Sequence, residues 1–261
     1  MSERLIEYAV ESGIARITLS NPPANTYSYE MMRQLDDAIL EARFDSAVHV
    51  LVLRGAGDKF FCAGAEIAML RDADPVFKYN FCLHANETLN RLEQTPKLVI
   101  AAINGHCVGG GLEIAMAADI RLAGGSGKIG LPEVNLGVLP GTGGTQRLLR
   151  IVGKERAIEL IAEGSTFDLE RARELGLVQR VIEGDGFMDR VLEYAARFVP
   201  PAKASKAVGL IKRAVRSGAE MGLYEGLALE RELQQQLFES RDAREGIQAY
   251  LDKRAPKFEG R

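Results

Sequence analysis

Two glutamates stand in apolar surroundings and are candidates for acid–base chemistry. Glu113 follows a glycine triplet and opens the apolar run LEIAMAA, and Glu133 lies in the proline-bounded turn GLPEVNLG. Burial raises the pKa of a carboxyl group towards neutrality, and differing surroundings can separate the roles of two carboxyls. The ordinary alternatives are a helix-start acid for Glu113 and a surface carboxylate for Glu133. The sequence spacing permits the two side chains to meet but does not require it.

Glycines concentrate in three loops, at 55–64, 105–111 and 137–144, and two of these loops follow predicted buried strands. A strand that turns through glycines into a helix presents unpaired N–H groups. Such groups bind a phosphate or the oxygen of a polarised carbonyl. Tight turns without a ligand are the competing explanation. A nucleotide-phosphate loop is disfavoured, because neither GxxxxGK[ST] nor a GxGxxG between strand and helix is present.

Other reactive side chains give weaker signals. Cys62 in FFCAG has no His or Asp placed to activate it, so we expect a buried, inert thiol. His106 in NGHCVGGG is expected to have a structural role rather than to act as a base. The basic segment at 202–218 could attract phosphates or RNA, but a solvated helix face is the default expectation. Its basic residues are Lys203, Lys206, Lys212, Arg213 and Arg216.

The elements that must position these residues alternate between strand and helix. LIEYAV and IARITLS predict two strands around a turn, and the apolar runs VHVLVLRG and KLVIAAING predict strands buried on both faces. Ser28 is placed to cap a helix, and the pattern from Pro75 to Thr95 is helical. Beyond residue 154 helical patterns dominate, interrupted by a predicted strand at 178–182. A single α/β core with a helical C-terminal part fits better than two independent domains.

Composition narrows the class of protein. The chain has 261 residues, of which 46% are hydrophobic and 26% charged, and a net charge of −3. That charge disfavours nucleic acid as a main partner, and no apolar run approaches the roughly 18 residues of a membrane span. The three cysteines and three histidines lack metal-ligand spacing, so we expect neither a metal site nor a disulfide framework. Without a signal or transit pattern, we expect a soluble, cytoplasmic protein.

Three segments of the chain together resemble the enoyl-CoA hydratase/isomerase, or crotonase, superfamily, and most of all an enoyl-CoA hydratase. They are FFCAGAEI at 60–67, AAINGHCVGGGLEIAMAADIRLA at 101–123 and GLPEVNLGVLPGTGGTQRLLRIVGKERAIELI at 130–161. The resemblance implies an α/β fold, a crotonase-like spiral of ββα turns over residues 1–195. Residues 196–261 would form a helical C-terminal trimerisation region, giving a homotrimer or a hexamer built as a dimer of trimers.

The resemblance also implies roles for individual residues. The backbone N–H groups of Ala65 and Gly110 would form an oxyanion hole for the thioester carbonyl of an acyl-CoA. Glu113 would deprotonate a water that adds to the β-carbon, and Glu133 would deliver a proton to the α-carbon. Gly141 would support the water site through its main chain. Ala63, Met69, Leu70, Phe77 and Phe81 would line the substrate site, and Tyr250 and Lys253 would reach the CoA of a neighbouring subunit.

The reaction expected from the resemblance is reversible hydration of a trans-2-enoyl-CoA to a 3-hydroxyacyl-CoA. No metal or redox cofactor is expected, because coenzyme A enters as part of the substrate. The alternatives are an enoyl-CoA isomerase, or a hydratase or dehydratase specialised for a branched or cyclic acyl-CoA; an RNA-binding role is a third. Glu66 and the segment ANTYS at 24–28 depart from the commoner family pattern near the expected substrate entrance. We expect these departures to affect substrate preference and to leave the chemistry intact.

Overall fold

A computed structural model describes residues 3–261. Its strands are β1 (Ile6–Glu11), β2 (Ile14–Leu19), β3 (Val50–Gly55), β4 (Phe60–Cys62), β5 (Leu98–Ile103), β6 (His106–Val108), β7 (Ile120–Gly124), β8 (Ile129–Gly130), β9 (Thr166–Phe167) and β10 (Arg180–Ile182). They form a six-stranded sheet in the order β1-β2-β3-β5-β7-β10 and a four-stranded sheet in the order β4-β6-β8-β9.

The helices lie between and after these strands. They are α1 (Tyr29–Phe44), α2 (Ile67–Asp72), α3 (Pro75–Gln94), α4 (Gly110–Met116), α5 (Gly144–Val152), α6 (Lys154–Glu163), α7 (Leu169–Glu174), α8 (Phe187–Ala196), α9 (Ser205–Gly218), α10 (Leu223–Phe238) and α11 (Arg241–Leu251). A single 3-10 turn spans Glu133–Leu136. No helix in residues 3–261 combines the length and the apolar character that a membrane crossing needs.

The six-stranded sheet follows the predicted strands. β1 and β2 pair antiparallel around a turn at Gly13, which has a φ of +80°, and the strands from β2 to β10 then pair in parallel. Every residue of β5 is buried, as an uninterrupted apolar run predicts for a strand covered on both faces. The predicted hairpin and the predicted buried strands are therefore confirmed.

The second sheet gives the fold its spiral form. β3, β5 and β7 each lead within a few residues into β4, β6 and β8 of the smaller sheet, and a helix or helical turn follows each pair. Each turn of the spiral thus adds one strand to the larger sheet and one strand to the smaller sheet. This is the expected spiral of ββα turns. The short strands β4, β6 and β9 were not predicted.

Local signals define the two long helices of the core. The Ser28 hydroxyl accepts a hydrogen bond from the N–H of Met31, so the predicted cap of α1 is confirmed. Asp74 caps α3 in the same way, and Pro75 occupies the first helical position, where its missing N–H costs nothing. The α1 and α3 helices pack on each other, with the fully buried Leu35 and Leu89 in the main core.

The C-terminal helices follow the core as predicted. The α8 helix buries Val191 and Ala195 on the outer face of the six-stranded sheet. The α9 helix passes so close to the main chain that a Cβ on Gly209 would overlap the carbonyl of Pro96. The proposed boundary between residues 195 and 196 falls at the end of α8 and stays a prediction.

Candidate active site

Glu113 is a buried carboxylate fixed by backbone donors. It lies in the first turn of α4 with 1% of its surface exposed. Its Oε1 accepts hydrogen bonds from the N–H of Thr142 at 2.8 Å and from the N–H of Gly144 at 2.6 Å. Burial raises the pKa of Glu113, and the two backbone hydrogen bonds act in the opposite direction. The predicted burial is confirmed, and the carboxylate has one defined orientation.

Glu133 is a second carboxyl in a different setting. It begins the 3-10 turn that follows Pro132, and its Oε2 is buried without a hydrogen-bond partner in residues 3–261. Burial is the main cause that raises the pKa of Glu133 to about 7, and the nearby charge of Glu113 raises it further. A carboxyl with this pKa can hold or release a proton near neutral pH. The alternative of a solvated surface carboxylate is wrong.

Gly109 brings the two carboxyls together. It has a φ of +57°, and its carbonyl accepts the N–H of Glu113 at 3.2 Å, in the turn that opens α4. A Cβ on Gly109 would lie 3.0 Å from Oε1 of Glu133. The glycine is therefore required both by its left-handed backbone and by the close approach of the Glu133 carboxyl.

Two free N–H groups lie beside this pair. Tyr27 forms a parallel bridge with the loop after β4: its N–H donates to the carbonyl of Gly64 and its carbonyl accepts from Glu66. This pattern leaves the N–H of Ala65 without an acceptor in the described chain. The N–H of Gly110 also has none there, because it begins a helix.

The Ala65 and Gly110 donors come from two loops that are in contact. A Cβ on Gly64 would come within 3.2 Å of the nitrogen of Gly110. Gly64 has a φ of +90°, which only glycine adopts readily. The two N–H groups that the resemblance assigned to an oxyanion hole thus lie near one another, next to the turn that carries Glu113.

The loop from Pro140 to Gly144 wraps around the Glu113 carboxylate. A Cβ on Gly144 would lie 2.8 Å from Oε1 of Glu113, so this glycine permits the close approach of its own N–H. Gly141 lies against Cys82, since a Cβ there would come within 3.1 Å of the sulfur. The structure places Gly141 beside the candidate site, and its role towards a water stays a prediction.

The residues predicted to line the acyl site occupy two different environments. Phe81 is buried and stacks on Phe77 at 6.2 Å between ring centroids, while Phe77 is 39% exposed. Met69 and Leu70 lie on α2, partly buried against the main core, and Ala63 donates its N–H to the carbonyl of Ala24. The contact of these five residues with an acyl group stays a prediction.

The two C-terminal candidates lie on the surface. Tyr250, near the end of α11, is 85% exposed, and Lys253 follows that helix with a φ of +54°. Neither takes part in a hydrogen bond through its side chain within residues 3–261. Their proposed role requires a neighbouring subunit and stays a prediction.

The weaker chemical candidates have structural explanations. Cys62 is fully buried, and this burial raises the pKa of its thiol to about 12, as expected for an inert group. Nδ1 of His106 accepts the N–H of Lys128 at 3.1 Å, as expected for a structural histidine.

The basic segment on α9 is only partly solvated. Lys203, Lys206 and Arg213 are exposed, as expected. Lys212 is buried instead, with its Nζ 2.9 Å from the carboxylate of Asp119, because it joins α9 to the core. The expectation of a solvated face is therefore wrong for Lys212, and also for Arg216, which is partly buried in ion pairs with Glu93 and Asp119.

Sequence reasoning missed two polar side chains at the centre of the site. The hydroxyl of Tyr27 lies 2.9 Å from Oγ1 of Thr142, and a Cβ on Gly110 would overlap that same Tyr27 hydroxyl. Both residues belong to segments already singled out, ANTYS and LPGTGG. Their positions become visible only when the fold brings residue 27 and residue 142 together.

The geometry defines a class of protein: an α/β spiral with a carboxyl pair set beside two free backbone N–H groups. The family profile described as enoyl-CoA hydratase/isomerase matches residues 9–261. The chain belongs to the enoyl-CoA hydratase/isomerase family, and it is an enzyme of the crotonase fold.

Named relatives agree with this assignment. A short-chain-enoyl-CoA hydratase of Clostridium acetobutylicum is 38% identical over 251 residues, covering 96% of this chain and 95% of that protein. A crotonyl-CoA hydratase of Syntrophomonas wolfei is 34% identical over 249 residues, covering 95% of each. A crystal structure of an enoyl-CoA hydratase from Geobacillus kaustophilus superposes with a TM-score of 0.96 at 44% identity, covering 100% of this chain and 98% of that one.

Proposed function

We propose that the protein hydrates the 2,3-double bond of a trans-2-enoyl-CoA to give a 3-hydroxyacyl-CoA, in a reversible reaction. One observation carries the proposal: the carboxyl of Glu133 lies against Gly109, in the turn that opens the helix of Glu113, beside the free N–H groups of Ala65 and Gly110. Hydration of a conjugated thioester needs two proton-transferring groups and stabilisation of the charge that develops on the carbonyl oxygen. The relatives named as hydratases support the same reaction.

The two backbone N–H groups bind the thioester oxygen. When water adds at the β-carbon, electrons move through the α-carbon to this oxygen, which takes on enolate character. The donors of Ala65 and Gly110 are fixed by the fold before substrate arrives, so they stabilise this charge without reorganising. Loss of one such donor typically costs about 10²–10³ in rate.

The two carboxyls divide the proton transfers. Glu113, held by two N–H groups that favour its ionised form, accepts a proton from the attacking water. Glu133, with a pKa of about 7, delivers its proton to the α-carbon. The hydroxyl of the water remains on the β-carbon, and exchange of protons with solvent returns both carboxyls to their starting states.

The presence of both carboxyls favours hydration over double-bond isomerisation. Moving a double bond requires a proton to leave one carbon and reach another, which one acid–base group can accomplish. Adding water also requires a group that activates the water. Glu113, buried and oriented beside Glu133, is placed for that second task.

The acyl group that we propose is short or medium in length. The side chains of Phe77 and Phe81 stack beside the candidate site and occupy space that a long acyl chain would need. Coenzyme A arrives as part of the substrate, and no further cofactor enters this scheme.

We propose that the C-terminal helices assemble the chain into a trimer, or into a hexamer of two trimers. Large apolar side chains are exposed on these helices, among them Leu223, Phe238 and Leu251. A neighbouring subunit would cover them, and Tyr250 and Lys253 would then reach its CoA. Light scattering behind size-exclusion chromatography tests the proposal: three chains of 28.5 kDa give about 86 kDa, and a 28.5 kDa particle would contradict it.

We place the reaction in the cytoplasm, because all three cysteines are unpaired, which suits a reducing compartment.

The decisive experiment follows the absorbance of the conjugated thioester. Purified protein is mixed with crotonyl-CoA, and the product is identified as 3-hydroxybutyryl-CoA by mass. Rapid loss of absorbance is expected from the wild type and from the surface variant Glu159→Gln. If the wild type binds the thioester but does not hydrate it, hydration of this substrate is refuted; a 3-enoyl-CoA then tests the isomerase alternative.

A further inference from the structure

The side chain of Tyr27 is buried at the centre of the candidate site. Only 2% of its surface is exposed, and its ring stacks on Phe81 at 5.7 Å. Its hydroxyl lies over Gly110, at the start of α4, and 2.9 Å from Oγ1 of Thr142. Burial of a phenol without a hydrogen-bond partner is costly, so the contact with Thr142 satisfies the Tyr27 hydroxyl.

Thr142 connects this hydroxyl to Glu113. The N–H of Thr142 donates to Oε1 of Glu113 at 2.8 Å, so the position of the Thr142 main chain sets one of the two hydrogen bonds that hold this carboxylate. The hydroxyl of the same residue has lone pairs that can accept a hydrogen bond from a second group.

Tyr27 is the group that can donate to Thr142. Burial, together with the charge of Glu113, raises the pKa of the Tyr27 hydroxyl well above its usual value. The phenol therefore keeps its proton. The Tyr27 hydroxyl therefore donates to Oγ1 of Thr142, while the N–H of Thr142 donates to Glu113.

We propose that Tyr27 is a positioning residue that holds Thr142 through its hydroxyl, so that the N–H of Thr142 keeps the proposed base Glu113 ionised and in place. The proposal rests on the proposed hydration. It also changes the meaning of the segment ANTYS. We expected this departure to affect the substrate entrance and leave the chemistry intact, whereas the Tyr27 hydroxyl lies beside the chemical centre.

Other titratable groups around Glu113 are few. Glu133 approaches from the 3-10 turn, and Arg147 acts on Glu113 from α5 and lowers its pKa. Cys62 and Cys82 lie near Tyr27, and their charges would raise its pKa further. None of these groups changes when the Tyr27 hydroxyl alone is removed, so the substitution isolates the Tyr27–Thr142 contact.

The test compares pH profiles of kcat/KM for crotonyl-CoA hydration in Tyr27→Phe, Thr142→Val and the double variant. Loss of a hydrogen bond that supports the Glu113 carboxylate moves the acid limb of the pH profile to higher pH by about 0.5–1 pH unit. At a pH on that limb, kcat should fall about three- to tenfold while KM changes little. The double variant should lose little more than either single variant, because both act through one contact.

Tyr8→Phe is the matched control. Tyr8 lies on β1, away from the candidate site, and its hydroxyl has no hydrogen-bond partner in residues 3–261. Its profile should coincide with that of the wild type. Thr142→Ser, which retains the hydroxyl, should restore the acid limb that Thr142→Val displaces.

A second readout does not depend on turnover. The signal of the Glu113 carboxyl carbon is assigned in ¹³C-labelled protein by its loss in Glu113→Gln. This carbon should titrate at higher pH in Tyr27→Phe than in the wild type. An unchanged titration and an unchanged acid limb would overturn the role of Tyr27, even with an active wild type. A change in KM alone would assign Tyr27 to acyl binding instead. A wild type that does not hydrate crotonyl-CoA refutes hydration of this substrate, and the ¹³C titration still decides the contact.

Discussion

Replacing Glu133 by glutamine should stabilise the folded protein at alkaline pH while abolishing most activity. Its carboxyl has a pKa of about 7 in the fold, against an ordinary value of 4.5, and burial is the main cause. Each tenfold change in proton affinity corresponds to about 1.4 kcal/mol, so the full difference is about 3 kcal/mol. Partial exposure of the side chain reduces the expected effect to about 1–2 kcal/mol.

The sign follows from proton linkage. Below pH 4.5 the carboxyl is protonated in both the folded and the unfolded chain, so it has no net effect. Between pH 4.5 and about 7 only the unfolded chain gains by ionising, and the free energy of unfolding falls as pH rises. Glutamine cannot ionise, so Glu133→Gln should match the wild type near pH 4.5 and exceed it by about 1–2 kcal/mol at pH 8.

Urea unfolding, followed by circular dichroism at pH 5 and pH 8 and at one protein concentration, measures this difference. Glu159→Gln, on the exposed surface of α6, is the control and should match the wild type at both pH values. The same Glu133→Gln variant should lose about 10²–10⁴ in hydration rate, because it can no longer donate a proton. Equal stability gains at both pH values, or near wild-type turnover, would refute the reasoning.

Three further outcomes are expected. Glu113→Gln should also lose about 10²–10⁴ in hydration rate. In the double variant with Glu133→Gln, the total loss should be far smaller than the product of the two single losses. The absorbance assay of crotonyl-CoA hydration measures all three variants. Gly110→Ala should lower hydration and the unfolding midpoint, since its Cβ would overlap Tyr27. Lys212→Met should destabilise the protein by about 3 kcal/mol in urea at pH 7, because it leaves the carboxylate of Asp119 with one cation fewer.

The larger sheet could be predicted because its strands carry local signals. β3 and β5 are apolar runs of strand length, and Ser28 marks the start of α1 at its cap. Strands β4, β6 and β9 of the smaller sheet could not be predicted in this way. These strands are two or three residues long, too short for a periodicity, and they lie in loops rich in glycine. Pairing with distant segments, rather than local preference, makes them strands.

The candidate site was predictable only where residue type carries the chemistry. Glu113 and Glu133 stand out as acids in apolar runs, and the structure bears out the burial of Glu113 and shows that one carboxyl oxygen of Glu133 is buried. The donors on Glu113 are backbone groups of Thr142 and Gly144, and any residue type possesses such a group. Tyr27 was seen as a departure from a pattern, but its contact with Thr142 spans 115 positions and depends on the tertiary fold.

The two carboxyls differ in what the main chain offers them. Glu113 receives two backbone hydrogen bonds, which favour its ionised form, whereas Oε2 of Glu133 receives none within residues 3–261, which favours its protonated form. Glycines at 109 and 144 permit both arrangements, because a Cβ at either position would crowd a carboxylate oxygen. The same loops leave the N–H groups of Ala65 and Gly110 free. The proposed base, acid and oxyanion donors are therefore held by one group of glycine-containing turns, and this accounts for the concentration of glycine in these loops.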